Sequence, residues 1–170
     1  MSIILVSSGV CLKGSRMGQL IDQFDEVVRF HNYGGGEPKD LGTKTTMWAY
    51  YDETSNLVTP SGVNDHLKLT YGGDLWYNDR CVQKKAHKKI REVIPYPEDK
   101  WPTTGIVCLS WLVTQHPLVY LIGWYQNVNT FKYHYNEEAK ENALKTHSLV
   151  HDVMYLQHLE SEGKIARLRV

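Results

Sequence analysis

The first residues of the chain combine an apolar run with a small-residue turn that could bind phosphate. Residues 3–6 are continuous and β-branched or leucine, as in a strand buried on both faces of a parallel sheet, and residues 7–9 end it. Backbone N–H groups and a helix dipole after such a turn favour an anion. Gly9 and Gly14 have P-loop spacing, but the residues after Gly14 are not the required Lys and Ser or Thr. The sequence predicts a phosphate-binding turn without P-loop chemistry; a plain structural turn is the alternative.

A second candidate anion site lies where a helix is predicted to begin, after Pro102. Thr103 or Thr104 can cap that helix, and the positive end of the helix dipole favours an anion there. The alternative is ordinary helix capping with no ligand.

Residues 84–91 contain five of the nineteen Lys and Arg residues of the chain. The ordinary interpretation of such a segment is a solvated helix face. The alternative is an anionic partner such as nucleic acid, since contacts of Lys and Arg with phosphate give salt-dependent binding and aromatic rings can stack on an extruded base. The residues that would make these contacts are Lys84, Lys85, Lys88, Lys89, Trp76 and Trp101.

The elements that must position these segments follow from the hydrophobic pattern and from Gly and Pro. Further strands are predicted over 26–30, 45–51, 66–70 and 118–122, helices up to residue 23 and over 79–92, 104–115 and 148–162, and a loop over 32–42. Strands that alternate with helices predict an α/β fold. We expect a single Rossmann-like domain, residues 1–170, with a mostly parallel sheet flanked by helices.

Composition excludes several classes of protein. The 170 residues carry nineteen Lys and Arg against nineteen Asp and Glu, which argues against a generally basic nucleic-acid binder but leaves a local patch open. The three cysteines lack CxxC spacing, which favours a reduced, cytoplasmic setting without a cysteine zinc site. No apolar run approaches the roughly 20 residues that span a bilayer. The N-terminus lacks signal-peptide features, so we expect a cytoplasmic protein with no membrane span.

Four separated segments together resemble the sialyl motifs of the sialyltransferase superfamily. The large motif is matched within 6–15, 27–30 and 40–46, the small motif by 102–105 with 119–123, the third motif by 133–135, and the very small motif by His147 with Asp152. The four segments occur in the family order and span nearly the whole chain. The resemblance implies a glycosyltransferase that takes an activated sugar, such as cytidine monophosphate-sialic acid.

The resemblance also implies roles for individual residues. Those implied in donor binding are Ser7, Ser8, Gly9, Arg29, Asn32, Thr103, Thr104 and Gly105. His147 is the implied general base, since an imidazole that titrates near pH 6.5 can take the proton of an acceptor hydroxyl, and His151 is the alternative. The other candidate catalytic residues are Asp152, Tyr133, His134 and Tyr135, the tyrosines as hydrogen-bond donors to the departing phosphate.

Three functions are consistent with these residues. The first is a sialyltransferase-like enzyme acting on a saccharide, inverting and independent of metal, since the sequence contains no Asp-x-Asp and we expect no cofactor. The second is a phage-type enzyme that adds a sugar to hydroxymethylated bases in DNA. The third is a non-catalytic nucleotide-binding module. The oligomeric state is left open by the sequence.

Overall fold

The computed structural model describes residues 1–7, 9–31, 33, 36–52, 62–124 and 146–170. Within these residues the chain forms one sheet of eight strands, in the order β6-β5-β4-β3-β2-β1-β7-β8. The strands are β1 Ile3–Val6, β2 Glu26–Phe30, β3 Met47–Tyr51, β4 Asp65–Leu69, β5 Leu75–Tyr77, β6 Arg80–Gln83, β7 Val119–Ile122 and β8 Ile165–Arg167.

The sheet is mostly parallel, as predicted. Strand β1 pairs in parallel with β2 and with β7, so that Ile4 faces Val27 on one side and Tyr120 on the other. Parallel pairing continues from β2 to β4 and from β7 to β8, whereas β4, β5 and β6 are antiparallel. The six parallel strands therefore end at the same edge of the sheet, where α/β proteins bind their ligands.

Helices cover both faces of the sheet. They are α1 Gly18–Asp22, α2 Pro38–Leu41, α3 Ala86–Val93, α4 Thr104–Gln115 and α5 Leu149–Ser161. On one face, Ile3 and Leu5 share a buried cluster with α3, α4 and α5. On the other face, Ile4 and Val6 pack with Ile21 of α1 and Leu41 of α2. This alternation explains why all four side chains of β1 are apolar.

The predicted elements agree with the structure at β1–β4, β7, α4 and α5, to within about two residues. The helix predicted over 79–92 is wrong in its first half, because residues Arg80–Gln83 form β6. Asn78 and Asp79 both have positive φ, which is the requirement of a tight two-residue hairpin turn between β5 and β6. The loop predicted over 32–42 contains the short helix α2, which begins at Pro38, a favoured first position.

None of the described helices is long and apolar enough to cross a membrane.

The ends of β1 and β7 meet at two glycines. Ser7 N–H donates to Ile122 O over 2.9 Å, and a Cβ on Gly9 would lie 2.1 Å from Gly123 O. Gly123 itself has φ +76°, and a Cβ there would lie 2.5 Å from Leu12 Cδ1 and 2.9 Å from Ser7 O. The first turn of the chain therefore depends on the absence of side chains at both positions.

We expect Gly123→Ala to destabilise the fold more than Gly163→Ala. Both glycines have left-handed φ, but a Cβ on Gly163 meets nothing within 4 Å, which leaves only a backbone cost of about 1–2 kcal/mol. Steric overlap at Gly123 adds about 1–3 kcal/mol. Urea denaturation of the two variants measures the difference, and equal losses would contradict the close approach of β1 and β7.

Candidate active site

A cavity of about 580 Å³ opens at the shared end of the parallel strands. Its described lining residues are His31, Tyr51, Leu69, Tyr71, His87, Trp101, Pro102, Thr104, Thr146 and His147. These lie at or just after the carboxyl ends of β2, β3 and β4, on α3, and at the start of α4 and the approach to α5. None of the residues in that set is Asp, Glu, Lys or Arg, so the described wall of the cavity is polar and aromatic without a formal charge.

His147 is held in this cavity by the backbone of Trp101. The two residues form an isolated parallel bridge, in which Trp101 N–H donates to Thr146 O over 2.9 Å. His147 Nδ1 lies 3.0 Å from Trp101 O. A carbonyl oxygen can only accept, so Nδ1 carries the hydrogen and Nε2 keeps its lone pair in the neutral ring. The contact therefore selects the tautomer in which Nε2 can act as a base.

Trp101 is in turn held by helix α3. The Arg91 guanidinium carbon lies 4.6 Å from the centroid of the Trp101 ring, a cation–π arrangement, and Arg91 Nη2 donates to Lys100 O. The His87 ring, one turn earlier on α3, has its centroid 5.2 Å from that of Trp101. These contacts fix the residue that orients His147.

His87 is kept neutral in the cavity wall. Burial, reinforced by the positive charge of Arg91 and by His147, lowers the pKa of His87 to about 4. Its Nε2 is buried and has no hydrogen-bond partner among the described residues. Near neutral pH the imidazole therefore contributes an uncharged surface beside the exposed lysines of the same helix.

Asp152 and His151 lie on α5 without lining the cavity. Asp152 is fully buried, and Tyr96 Oη donates to Asp152 Oδ1 over 2.7 Å. Burial, together with the charge and hydrogen bond of Asp152, raises the pKa of Tyr96 above its usual value. The His151 Nδ1 atom lies 2.6 Å from Ser148 Oγ. Asp152 thus supports the segment between α3 and α4, and its predicted catalytic role stays a prediction.

The structure places the residues predicted to bind a donor at different positions relative to the cavity. Thr104 lines the cavity, whereas Ser7 and Gly9 lie at the end of β1. Thr103 is the N-cap of α4, but its side chain makes no capping hydrogen bond, so its hydroxyl is not used for ordinary capping. A Cβ on Gly105 would lie 2.7 Å from the Trp124 ring, so this glycine permits close packing at the start of α4.

Arg29 serves the fold. It is only 2% exposed, its Nε donates to Thr45 Oγ1 over 3.0 Å, and its Nη2 donates to Leu41 O over 2.6 Å. Burial lowers the pKa of Arg29 below its ordinary value, against the opposing influence of Tyr33 and Asp22. The guanidinium joins β2 to the last residue of α2 and to the segment that follows it. It does not line the cavity, and its predicted donor contact stays a prediction.

Several predicted residues lie apart from the cavity or outside the described part of the chain. Lys84, Lys85, Lys88 and Lys89 are exposed and do not line the cavity. Trp76 is on β5, near Lys68. Of the aromatic and basic residues predicted to bind an acceptor, Trp101 is the one that the structure brings to His147. The predicted residues that lie outside the described part are Ser8, Asn32, Tyr133, His134 and Tyr135.

Sequence reasoning missed five polar lining residues, namely His31, Tyr51, Tyr71, His87 and Thr146, and the apolar Leu69 and Pro102. A usable signal existed for the first three, since each lies at or just beyond the carboxyl end of a predicted parallel strand. The contribution of His87 was hidden by the lysines around it, because the orientation of α3 depends on tertiary packing.

Comparison with known proteins shows which proteins this chain resembles. Residues 3–70 match the model of Glycosyltransferase family 29 (sialyltransferase). CMP-N-acetylneuraminate-beta-galactosamide-alpha-2,3-sialyltransferase 4 of Homo sapiens is 22% identical in an alignment over 210 residues. That alignment covers 97% of this chain and 63% of that protein. The protein of the same name from Rattus norvegicus gives the same identity and coverage. The chain thus spans a little under two thirds of the length of these relatives.

Solved structures agree with these relatives. The crystal structure of a mammalian sialyltransferase in complex with Gal-beta-1-3GalNAc-ortho-nitrophenol superposes with a TM-score of 0.67 at 20% identity, covering 98% of this chain and 68% of that one. A second structure of a mammalian sialyltransferase gives a TM-score of 0.67 at 19% identity, with the same coverage. The fold is that of the sialyltransferases. The match of residues 3–70 to the family model and the similarity to these relatives support the predicted resemblance to the sialyltransferase superfamily.

We expect His87 to make the fold less stable in acid. Because the pKa of His87 is about 4 in the folded chain and near 6.5 when unfolded, the unfolded state binds the extra proton between these values. Stability should therefore fall as pH decreases from about 6.5 to 4, and His87→Gln should flatten that decrease. Urea denaturation across this pH range measures the free energy of unfolding. His158→Gln, which removes a more exposed histidine, is the control. An unchanged slope in His87→Gln would contradict the neutral state of His87.

Proposed function

We propose that this protein transfers a sugar from a nucleotide-sugar donor to a hydroxyl of a saccharide acceptor, with His147 as general base. The observation that carries the proposal is the hydrogen bond of His147 Nδ1 to Trp101 O, which leaves Nε2 unprotonated on a residue that lines the cavity. The likeness to sialyltransferases supplies the reaction class. A free ring nitrogen in a cavity of this size supplies the base that such a transfer needs.

The mechanism follows from that tautomer. As the acceptor oxygen attacks the anomeric carbon of the donor sugar, its proton passes to Nε2 of His147, and the bond from that carbon to the nucleotide phosphate breaks. The ring becomes an imidazolium, and the Trp101 carbonyl stabilises the charge through Nδ1–H. Attack from the side opposite the leaving nucleotide inverts the anomeric centre. The products are the glycosylated acceptor and the free nucleotide.

The donor would lie along the edge where β1 and α4 present backbone N–H groups. Helix α4 begins at Thr104, inside the cavity wall, and the positive end of its dipole favours a phosphate. The turn that follows β1 lies at the same edge of the sheet. We propose cytidine monophosphate as the nucleotide, because the relatives are named for a CMP-linked sugar. We propose no metal in the reaction, since the sequence carries no Asp-x-Asp to bind one.

The two rival functions gain less support from the cavity. A DNA acceptor was predicted from the lysines of residues 84–91, and those side chains are exposed outside the uncharged lining. A nucleotide-binding module without catalysis needs no free base, whereas the Trp101 contact prepares one. The saccharide acceptor is therefore the function that the described residues favour.

We expect His147→Ala to lower kcat by about 10²–10⁴-fold, because the acceptor proton then has no positioned base. His151→Ala is the matched control. It removes a neighbouring histidine that does not line the cavity, and we expect it to keep most of the activity. Transfer from CMP-sialic acid to a galactoside measures both variants. Full activity in His147→Ala, or an equal loss in both variants, would refute the assignment.

We expect cytidine monophosphate to raise Tm more than uridine or guanosine diphosphate. A ligand at a hundred times its Kd adds roughly 2.7 kcal/mol, which corresponds to about 5–11 °C for a chain of this size. Thermal denaturation with each nucleotide measures the shift. A shift with only a diphosphate would overturn the cytidine donor, and no shift with any nucleotide would overturn nucleotide-sugar chemistry.

A further inference from the structure

Residues 94–103, between α3 and α4, carry the backbone that orients His147. They form neither helix nor strand apart from the isolated bridge of Trp101 with His147. Three of them are proline, at positions 95, 97 and 102, and proline has no N–H to donate. A bridge of one residue pair lacks the neighbouring pairs of a ladder. The position of the Trp101 carbonyl therefore depends on contacts made elsewhere in the segment.

Arg91, in the last turn of α3, contacts this segment at two consecutive residues. Its Nη2 donates to Lys100 O, and its guanidinium carbon lies 4.6 Å from the centroid of the Trp101 ring. Its Nε is buried and has no hydrogen-bond partner among the described residues. The guanidinium therefore acts on the segment through Nη2 and through its planar face, a combination that lysine lacks.

The helix that carries Arg91 is itself fixed. Ala86 and Ile90, on the inner face of α3, are buried in the core, and Ala86 N–H donates to Gly73 O over 2.8 Å. Arg91 is not among the described residues that line the cavity. Its guanidinium thus reaches from a packed helix to the segment of Trp101, and it is placed to act on the reaction through that segment.

Two other contacts hold the same segment, and each acts on it differently. Tyr96 Oη donates to Asp152 Oδ1 over 2.7 Å, but Tyr96 lies five residues before Trp101. The His87 ring packs against the indole, with 5.2 Å between the ring centroids. Arg91 contacts both the indole and the carbonyl directly before Trp101. Among these residues, Arg91 therefore constrains the backbone nearest to the carbonyl that holds His147.

We propose that Arg91 is a positioning residue for the base, which fixes Lys100 and Trp101 so that Trp101 O holds the Nδ1–H of His147. This proposal rests on the proposed function. Which ring nitrogen of a histidine carries the hydrogen is set by the hydrogen bond that the other nitrogen makes. Without Arg91 the carbonyl loses its fixed position, and part of the molecules carry the hydrogen on Nε2. In that tautomer Nε2 has no lone pair free to take the acceptor proton.

The test uses the full chain and reads the tautomer directly. Nitrogen NMR of isotope-labelled histidine rings, at about pH 8 where an unperturbed imidazole is neutral, distinguishes the two tautomers, and a His147→Gln spectrum assigns the His147 signals. Arg91→Met should move these signals toward the Nε2–H tautomer and lower kcat about tenfold. The donor KM and the Tm shift from cytidine monophosphate should not change. Arg91→Lys should restore part of both, since an ammonium can still pack on the indole and donate to Lys100 O.

Arg80→Met is the matched control, because Arg80 is an exposed arginine of β6 that does not line the cavity. It should keep the wild-type kcat and the wild-type His147 signals. If Arg91→Met fails to fold, Arg91→Gln keeps a donor for Lys100 O, removes the cation from the indole and serves the same test. Unchanged His147 signals in the folded Arg91 variant would overturn the proposal, whether or not kcat falls. Shifted His147 signals, with a wild type that transfers no sugar, would support the positioning by Arg91 and refute the proposed function alone.

Discussion

Strand β1 forms parallel ladders with β2 on one side and β7 on the other, and its four side chains are buried from both faces of the sheet. Parallel neighbours on both sides require each connection to return across the sheet, so the segments that leave the strands gather at one edge. There Gly9 and Gly123 come into close contact, and the cavity opens over the ends of β2, β3 and β4. The position of the site follows from the position of β1.

Within that frame, a bridge between two distant segments orients His147, the proposed general base. Trp101 lies in the connection from α3 to α4, and His147 lies 46 residues later, before α5. Each half of the bridge is supported separately, since Arg91 holds the Trp101 ring and the Trp101 carbonyl holds the His147 ring. The cationic side chains of α3 therefore act in two ways. Arg91 packs on the Trp101 ring, and the lysines remain in solvent. This arrangement explains how a strongly basic segment can adjoin a cavity whose described lining residues carry no formal charge.

Local patterns predicted the parts of the fold that local physics determines. The β-branched runs of β1 and β7 and the apolar helices α4 and α5 are evident in the sequence because burial fixes their composition. The β5–β6 hairpin was missed because its turn uses Asn78 and Asp79 at positive φ, without the glycine that usually marks such a turn. His147 was predicted, but its partner Trp101 O was not, because a backbone contact between distant segments leaves no periodicity in the sequence. His87 was missed because the orientation of α3, which brings it to the cavity, depends on tertiary packing.

The spacing of His147 and Asp152 has a physical explanation in this structure. The two side chains do not act side by side: His147 lines the cavity, and Asp152 is buried in the first turn of α5, where the helix dipole favours a carboxylate. A buried carboxylate needs hydrogen-bond donors, and Tyr96 supplies one from 56 residues away. Because Tyr96 precedes Trp101 on the same connection, Asp152 secures the segment whose carbonyl orients His147. Asp152, five positions after the proposed base, thus helps to keep in place the backbone that orients His147.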